Sequence, residues 1–225
     1  MARPRDQTLR PLLLQAATLA FARQGFQAAS MTAIGAHAGV TKGGVYFHFP
    51  SKEVLFFAVL DHWNQELERA LGGGPTERRV PLQPALVDLE HLLRRWLDFH
   101  FRYPDAARLL NVLGAELAVG FAAAAREDLA RRQSRLRARL REWLQEAMAE
   151  GSPAVADPAQ DAFLLAAALE GVLHQWLANP REAGPYCDAD RIAQELVHRF
   201  AGATPPAVSE ARRSDPLAEG YRPAF

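Results

Sequence analysis

The stretch Ala38–Glu53, AGVTKGGVYFHFPSKE, places glycines, rings and lysines together in a way that is unusual for a packed core. If a helix begins at Lys42, then Lys42 and Tyr46 lie four residues apart on one exposed stripe. Gly43 and Gly44 cost about 1 kcal/mol each in a helix relative to alanine. Their use must therefore lie in close approach, because a backbone without side chains can lie against a phosphate or a base edge.

Hydrogen-bond donors surround this side-chain-poor helix. They are the Thr41 hydroxyl, the free N–H groups of the helix start, the Tyr46 hydroxyl, the His48 imidazole and the Lys52 ammonium. Such donors suit phosphate oxygens, and a short helix fits a major groove about 12 Å wide. Taken singly, each residue is ordinary: an exposed lysine is usually a solvated charge, and a lone ring is usually half-buried. Only the joint pattern indicates a DNA interface.

Charge is unevenly distributed along the chain. The formal net charge is zero, from 26 basic and 26 acidic residues, which by itself argues against a general nucleic-acid binder. Residues 1–52 contain six Lys or Arg and one acid, Asp6, so this segment carries +5 and the remainder −5. A basic end on a neutral chain is typical of a small anion-binding module joined to a second part. Arg3 and Arg5 either reach into the minor groove or form a disordered, solubilising end.

Helical spacing places the unusual stretch at the end of a helix-turn-helix unit. The predicted helices are Leu9–Gln24, Thr32–Ala38, Lys42–His48 and a fourth from Ser51 to Leu71. The expected stops are Gly25, Gly39 and Pro50, and the expected caps are Ser30 or Thr32, then Thr41 and Ser51. Three helices packed only for stability are the alternative, and periodicity does not separate the two interpretations.

The rest of the chain is also predicted to be helical, so the predicted fold class is all-α. The expected spans are Leu82–Tyr103, Asp105–Val119, Ala122–Glu150, Pro158–Ala178 and Ala189–Ala201. We predict a DNA-binding domain at residues 1–52, connected by helix 51–71, and a second domain at 53–203. The Pro-rich segment 204–225 is expected to be disordered. With no apolar run long enough to span a bilayer and no secretory signal at the start, a cytoplasmic soluble protein is expected.

The segment Met31–Leu60, MTAIGAHAGVTKGGVYFHFPSKEVLFFAVL, resembles the DNA-binding region of the tetracycline-repressor (TetR) family of transcriptional regulators. The matching residues are Thr32, Ile34, Ala38, Gly39, Val40, Thr41, Gly43, Tyr46, His48, Phe49, Lys52 and Leu55. The resemblance implies phosphate contacts at helix starts, base contacts from the third helix and backbone contacts after it. The complete predicted DNA interface is Thr32, Thr41, Lys42, Gly43, Gly44, Tyr46, His48 and Lys52.

Two glycines depart from the family pattern. Gly35 stands where Ala is usual, and Gly44 stands where Thr, Ala or a similar residue is common. We expect both to loosen the helix-turn-helix unit, and Gly44 to leave one base contact empty.

A twofold dimer is expected, because one such unit offers few contacts and two units about 34–36 Å apart contact a palindrome. The segment Asp161–Ala178 is nearly all apolar, which a solvent-exposed helix could not be. The predicted dimer interface is Leu165, Ala168, Leu169, Val172, Trp176, Ile192 and Leu196. The alternative is a central core helix of a monomer.

A small, largely apolar ligand is expected to bind among the remaining helices, where aromatic residues are dense. The candidate pocket residues are Trp96, Phe99, His100, Asn111, Glu116, Trp143, Glu170 and His174. Each of them alone is more easily explained as a core residue or a structural hydrogen-bonding group. Glu170 and His174 lie four residues apart and could pair with each other.

The predicted function is a dimeric transcriptional regulator, a repressor released by a small molecule, without a cofactor or a metal. A DNA-binding protein controlled by a protein partner is the alternative. A helical-bundle metal enzyme is disfavoured, because two Glu-x-x-His pairs are needed and only Glu195–His198 is present. Cys187 is the only cysteine, which excludes an internal disulfide and a cysteine-based zinc site.

Overall fold

A computed structural model describes residues 4–72, 84–111, 121–152 and 155–201. Every regular element in these ranges is helical, which confirms the all-α prediction. The helices are α1 (Pro4–Ala28), α2 (Met31–His37), α3 (Lys42–His48), α4 (Lys52–Leu71), α5 (Ala85–Arg102), α6 (Pro104–Asn111), α7 (Phe121–Ala149), α8 (Pro158–Ala178), α9 (Pro180–Ala183) and α10 (Ala189–Ala201), with a 3₁₀ turn at Gly184–Tyr186. None of these helices is long and apolar enough to cross a membrane.

The helix bounds agree with the predicted ones where local signals are strong. Helices α3, α8 and α10 have the predicted bounds, and α4 ends at Leu71 as expected. Helix α1 begins five residues before the predicted Leu9, and its backbone breaks at Gly25, whose φ is 76°. The short α9 and the 3₁₀ turn after it were not predicted. Residues 112–119 and 204–225 lie outside the described residues.

The chain divides into two compact units. The first unit is Met1–Gly72 with Phe99–Ser134, and the second is Gly73–Asp98 with Arg135–Phe225. Helix α4 therefore belongs entirely to the first unit, whereas α5 and α7 contribute residues to both. The functional division between residues 52 and 53 stays a prediction.

An aromatic cluster forms the centre of the first unit. The rings of Phe21, Phe26 and Phe56 lie 5.2 to 5.8 Å apart, with edge-to-face contacts between Phe56 and the other two. All three side chains are buried, as are Leu13 on α1 and Val59 on α4. Aromatic pairs of this kind add about 0.5–1.5 kcal/mol to the effect of burial. The cluster therefore holds α1 firmly against α4.

A buried hydrogen-bond chain also joins these two helices. The Thr18 hydroxyl donates to the carbonyl oxygen of Leu14 at 2.7 Å and accepts from the Trp63 indole N–H at 2.8 Å. The Trp63 ring in turn contacts the rings of Phe99 and Tyr103, at 6.2 and 5.1 Å between centroids. Thr18 is only 3 % exposed, so its hydroxyl depends on these protein partners rather than on water.

The second unit has its own apolar core. Its buried side chains are Leu89, Leu92, Leu93, Trp96 and Leu97 on α5, Leu140, Trp143 and Leu144 on α7, Leu165, Leu169 and Leu173 on α8, and Val197 on α10. Glu150 accepts a hydrogen bond from the backbone N–H of Ala85 at 2.9 Å, which satisfies a donor at the start of α5. Arg94 on α5 lies 3.3 Å from Asp190 on α10.

The Thr18→Val substitution keeps the shape of the side chain and removes the acceptor of the Trp63 indole N–H. Because that donor is then left without its partner, we expect the free energy of unfolding to fall by about 1–2 kcal/mol. Urea denaturation measures the change. Thr32→Val, at an exposed position of α2, is the matched control and should change stability by less than about 0.5 kcal/mol. Equal stabilities of the two variants would contradict a structural role for this bond.

Candidate nucleic-acid interface

Hydroxyl side chains cap the three helices that build the candidate interface. Ser30, Thr41 and Ser51 each accept a hydrogen bond from the backbone N–H three residues later, at 3.4, 3.2 and 3.2 Å. These bonds satisfy helix-start donors and set where α2, α3 and α4 begin. Of the two candidate caps of α2, the structure selects Ser30, and Thr32 lies exposed within the first turn.

A tight turn joins α2 to α3. Gly39 has a φ of 70°, a conformation that favours glycine, and the Val40 N–H donates to the Gly35 carbonyl oxygen at 2.8 Å. A β-carbon on Gly35 would lie 2.6 Å from Cγ2 of Val45 and 2.8 Å from the Val40 carbonyl oxygen. Gly35 therefore lets α2 pack against α3 more closely than a residue with a side chain would.

Gly44 and Gly43, although adjacent, have different surroundings. A β-carbon on Gly44 would lie 2.6 Å from Cγ1 of Val40, whereas one on Gly43 would meet nothing within 4 Å. The tight surroundings of both glycines correct the expectation that Gly35 and Gly44 loosen the unit, whereas the empty base contact at Gly44 stays a prediction. Gly35 brings α2 close to α3, and Gly44 brings α3 close to Val40 in the turn between them.

One face of α3 is exposed. Thr41, Lys42, Gly43 and Tyr46 are all exposed, while Val45 on the opposite face is fully buried. The Lys42 ammonium lies 5.9 Å from the centre of the Tyr46 ring, in cation–π geometry. The exposed face thus offers a hydroxyl, an ammonium, bare backbone and a phenol to an anionic groove.

Lys52 has an additional structural role that the sequence did not indicate. Its ammonium donates to the carbonyl oxygens of Gln27 and Ala29, at 3.0 and 3.1 Å, and lies 4.6 Å from the centre of the Phe26 ring. Two of its three N–H donors are thereby used to hold α4 against the end of α1. Only the third N–H of the Lys52 ammonium is left for the predicted phosphate contact.

The start of α4 also carries a charged carboxylate. Hydrogen bonds from the Glu53 backbone N–H and then from the Ser51 hydroxyl lower the pKa of the Glu53 carboxyl. Because a lowered pKa means that folding favours the ionised form, this contribution to stability is present above the ordinary pKa of a carboxyl and is lost as the pH falls.

Two ring residues complete the region. His48 is half-buried, and its ring makes an edge-to-face contact with Phe47, 5.4 Å away. Phe47 is 76 % exposed and was not predicted as part of the interface. Its position four residues after Gly43, on the exposed face of α3, is the signal that could have identified it.

The predicted pocket residues lie in both units. Trp96 and Trp143 are buried in the second unit, together with the half-buried Glu170, whereas His174 is exposed. In the first unit, Phe99 and His100 are buried, and the Asn111 amide donates to the Ala107 carbonyl oxygen of its own helix at 2.9 Å. Glu116 lies outside the described residues. The pocket stays a prediction.

The predicted dimer residues need a correction. Leu165 and Leu169 have no exposed surface, and Trp176 is also buried, so these three belong to the core of the second unit. The other four, Ala168, Val172, Ile192 and Leu196, are half-buried. The large apolar side chains exposed on α8 are instead Phe163 and Leu164.

Metal-ligating side chains are dispersed. Within the described ranges, no group of three His, Cys, Asp or Glu residues is placed to hold a metal ion. Cys187 is half-buried, and this burial raises the pKa of its thiol.

Two glycine substitutions test the close contact between α2 and α3. Gly35→Ala forces a methyl group against Val45 and a backbone carbonyl, so we expect the free energy of unfolding to fall by about 1–3 kcal/mol. Gly43→Ala meets open space and should instead raise stability by up to about 1 kcal/mol through helix propensity. Thermal and urea unfolding of both variants measure the difference. A Gly35→Ala variant as stable as Gly43→Ala would show that the contact is not tight.

Comparison with known proteins agrees with this geometry. Residues 13–59 match the sequence profile of the family described as bacterial regulatory proteins, tetR family. An HTH-type transcriptional repressor of Mycobacterium tuberculosis is 36% identical over 128 residues, covering 50% of this chain and 66% of the relative. The chain thus spans just under two thirds of that relative's length.

Solved structures share the fold. A TetR-like transcriptional regulator from Rhodococcus sp. RHA1 has a TM-score of 0.67 at 20% identity, over 91% of this chain and 100% of the other. SmeT in complex with triclosan has a TM-score of 0.64 at 23% identity, over 91% of this chain and 98% of the other. SmeT is the repressor of the Stenotrophomonas maltophilia multidrug efflux pump SmeDEF. The matched segment contains α2, α3 and parts of α1 and α4, whose caps, turn and exposed face are described above, and over residues 13–59 this chain is similar to the TetR family of bacterial regulatory proteins.

Proposed function

We propose that this protein is a dimeric DNA-binding repressor that acts on a palindromic operator in the cytoplasm and is released by a small, largely apolar molecule. The observation that carries the proposal is the exposed face of α3, where Thr41, Lys42, Gly43 and Tyr46 lie opposite the buried Val45. That face is narrow enough for a major groove and offers donors to phosphates and base edges.

The distribution of lysine supports this placement of the DNA contact. Lys42 and Lys52 are the only two lysines in the 225 residues, and both lie in or beside α3. Elsewhere the chain uses arginine for its positive charge. The segment 1–52 is +5 on a chain of zero net charge, so binding to a polyanion is expected to proceed through this end.

Dimerisation through α8 and α10 supplies the second DNA-binding unit. Phe163 and Leu164 expose apolar surface on α8, and Ile192 and Leu196 on α10 are half-buried. A β-carbon on Gly171 would meet nothing within 4 Å, so the exposed side of α8 has room for a second helix at this point. The interface therefore uses the exposed face of α8 rather than Leu165 and Leu169.

The proposed ligand is inferred from a structural relative and from the buried aromatic residues. SmeT, whose fold this chain shares, is known in complex with triclosan. In this chain, Trp96 and Trp143 are buried in the second unit, where an apolar molecule would find matching surface. A ligand releases DNA only to the extent that it prefers the protein conformation that binds DNA less well.

Selection of binding sites from random duplex DNA tests the proposal. The full-length protein should enrich a palindrome, with an affinity that falls steeply as salt is raised. Lys42→Ala should shift the base preference and weaken the selected site by about tenfold or more. Arg69→Ala removes an exposed cation at the far end of α4 and should leave the base preference and the affinity for the selected site unchanged. If no palindrome is enriched at low salt, the proposed function is wrong.

The two lysines also give an independent check by chemical modification. An amine-reactive reagent should modify the exposed Lys42 faster than Lys52, whose ammonium is held by two carbonyl oxygens. The selected duplex should protect Lys42, and peptide mass spectrometry reports both rates. Equal modification of Lys42 with and without bound DNA would exclude it from the interface.

The Gly171→Arg substitution tests the dimer surface. Open space at Gly171 accepts the side chain within one protomer, and arginine favours a helix more than glycine does, so the fold should be retained. A charged side chain between two closely packed helices should shift the protein to monomers and reduce operator binding. Analytical ultracentrifugation measures the mass. Val87→Arg, on an exposed part of α5, is the control that should remain dimeric.

A further inference from the structure

The exposed Phe47 side chain has no explanation in the packing of the first unit. Four other phenylalanines of that unit, Phe21, Phe26, Phe49 and Phe56, are at most 4 % exposed, while Phe47 is 76 % exposed. The register of α3 prevents its burial, because the buried Val45 lies two residues earlier and therefore on the opposite side of the helix. An isolated exposed apolar residue is common in proteins, so its neighbours decide whether it has a function.

Phe47 belongs to the face that carries the proposed DNA contacts. With about 100° between successive helical residues, Gly43 lies at the centre of the exposed face, flanked by Tyr46 on one side and Phe47 on the other. Helical side chains lean towards the N-terminus, so the turn that Phe47 covers is that of Gly43. Gly43 contributes no side chain, and the space at its β-carbon is open. The Phe47 ring is therefore accessible to a molecule that binds against α3.

The chemistry of the ring differs from that of its neighbours. Thr41, Lys42 and Tyr46 carry donors that suit phosphates and polar base edges, whereas Phe47 has only carbon atoms to offer. In the major groove, the apolar group that distinguishes one base from the others is the 5-methyl group of thymine. Phenylalanine is among the side chains that make such contacts.

We propose that Phe47 selects thymine at one position of each operator half-site by packing its ring against the thymine 5-methyl group. This inference rests on the proposed function, since it requires α3 to lie in the major groove. Removing one buried methyl group should weaken binding about fourfold, and removing the symmetric pair should weaken it about 15-fold. Phosphate contacts then supply affinity at any sequence, and Phe47 adds discrimination at one base pair to the base preference of Lys42.

The test replaces thymine by deoxyuridine in the operator selected by the full-length protein. This change removes only the methyl group and keeps base pairing. Each thymine is replaced together with its symmetry mate, and affinities are measured for the wild type and for Phe47→Ala. At one symmetric pair of thymines, we expect deoxyuridine to reduce the affinity of the wild type about 15-fold and to leave the affinity of Phe47→Ala unchanged. Phe47→Ala should also show relaxed selection at that base pair.

Control variants separate this contact from general effects. Lys42→Ala should bind more weakly yet keep the full penalty for deoxyuridine, because it leaves the ring in place. Leu12→Ala removes an exposed apolar side chain on α1 and should behave as the wild type. The Phe47→Ala variant should unfold at the same temperature as the wild type, since the ring is mostly exposed.

Two results would overturn the inference while leaving DNA binding intact. One is an equal deoxyuridine penalty in the wild type and in Phe47→Ala at every thymine pair. The other is a loss in Phe47→Ala that is the same for all duplexes, which would place the ring on the sugar–phosphate backbone. Failure of the wild type to bind any duplex would instead overturn the proposed function itself.

Discussion

The close contact between α2 and α3 at Gly35 is the constraint on which the interface depends. The space of a β-carbon there is already filled by Val45 and by the Val40 carbonyl oxygen. Because Val45 is also the buried residue of α3, its packing fixes the rotation of that short helix about its own axis. The opposite face is thereby turned outward, and with it Lys42 and Tyr46. A packing constraint inside the unit thus decides which side chains a DNA groove can meet.

Directional polar contacts add what the apolar core cannot supply. The aromatic cluster of the first unit holds α1 and α4 together, but the hydrophobic effect has no preferred direction. Lys52, with its two carbonyl acceptors, and Thr18, with the Trp63 indole, require defined positions of these helices. The first set joins the start of α4 to the end of α1, and the second joins the middle of each of these helices. Together they make the base of the DNA-binding face a rigid support, as discrimination between similar sequences requires.

The outward face of α3 combines two kinds of interaction with different ranges. Charge attraction from the basic N-terminal segment acts over about 8 Å at physiological salt and does not depend on sequence. Contact of the Phe47 ring with a methyl group acts only at van der Waals distance and therefore depends on which base is present. Gly43 has no side chain that would hold α3 away from the groove. Once charge attraction has brought the helix to the DNA, the Phe47 ring can therefore come within van der Waals distance of a methyl group.

Local signals in the sequence determined the helices and their caps, whereas the partners of distant residues were decided by tertiary structure. The bounds of α3 and the Thr41 cap were predictable, because periodicity and capping act within about four residues. The family resemblance likewise led to the predicted DNA-binding face on α3. The sequence did not indicate that Lys52 bonds to carbonyls 23 and 25 residues earlier, or that Gly35 fills a tight contact. It also assigned Leu165 to an interface although the chain buries it in its own core. These outcomes depend on which elements meet in space, and the spacing of residues along one helix cannot specify that.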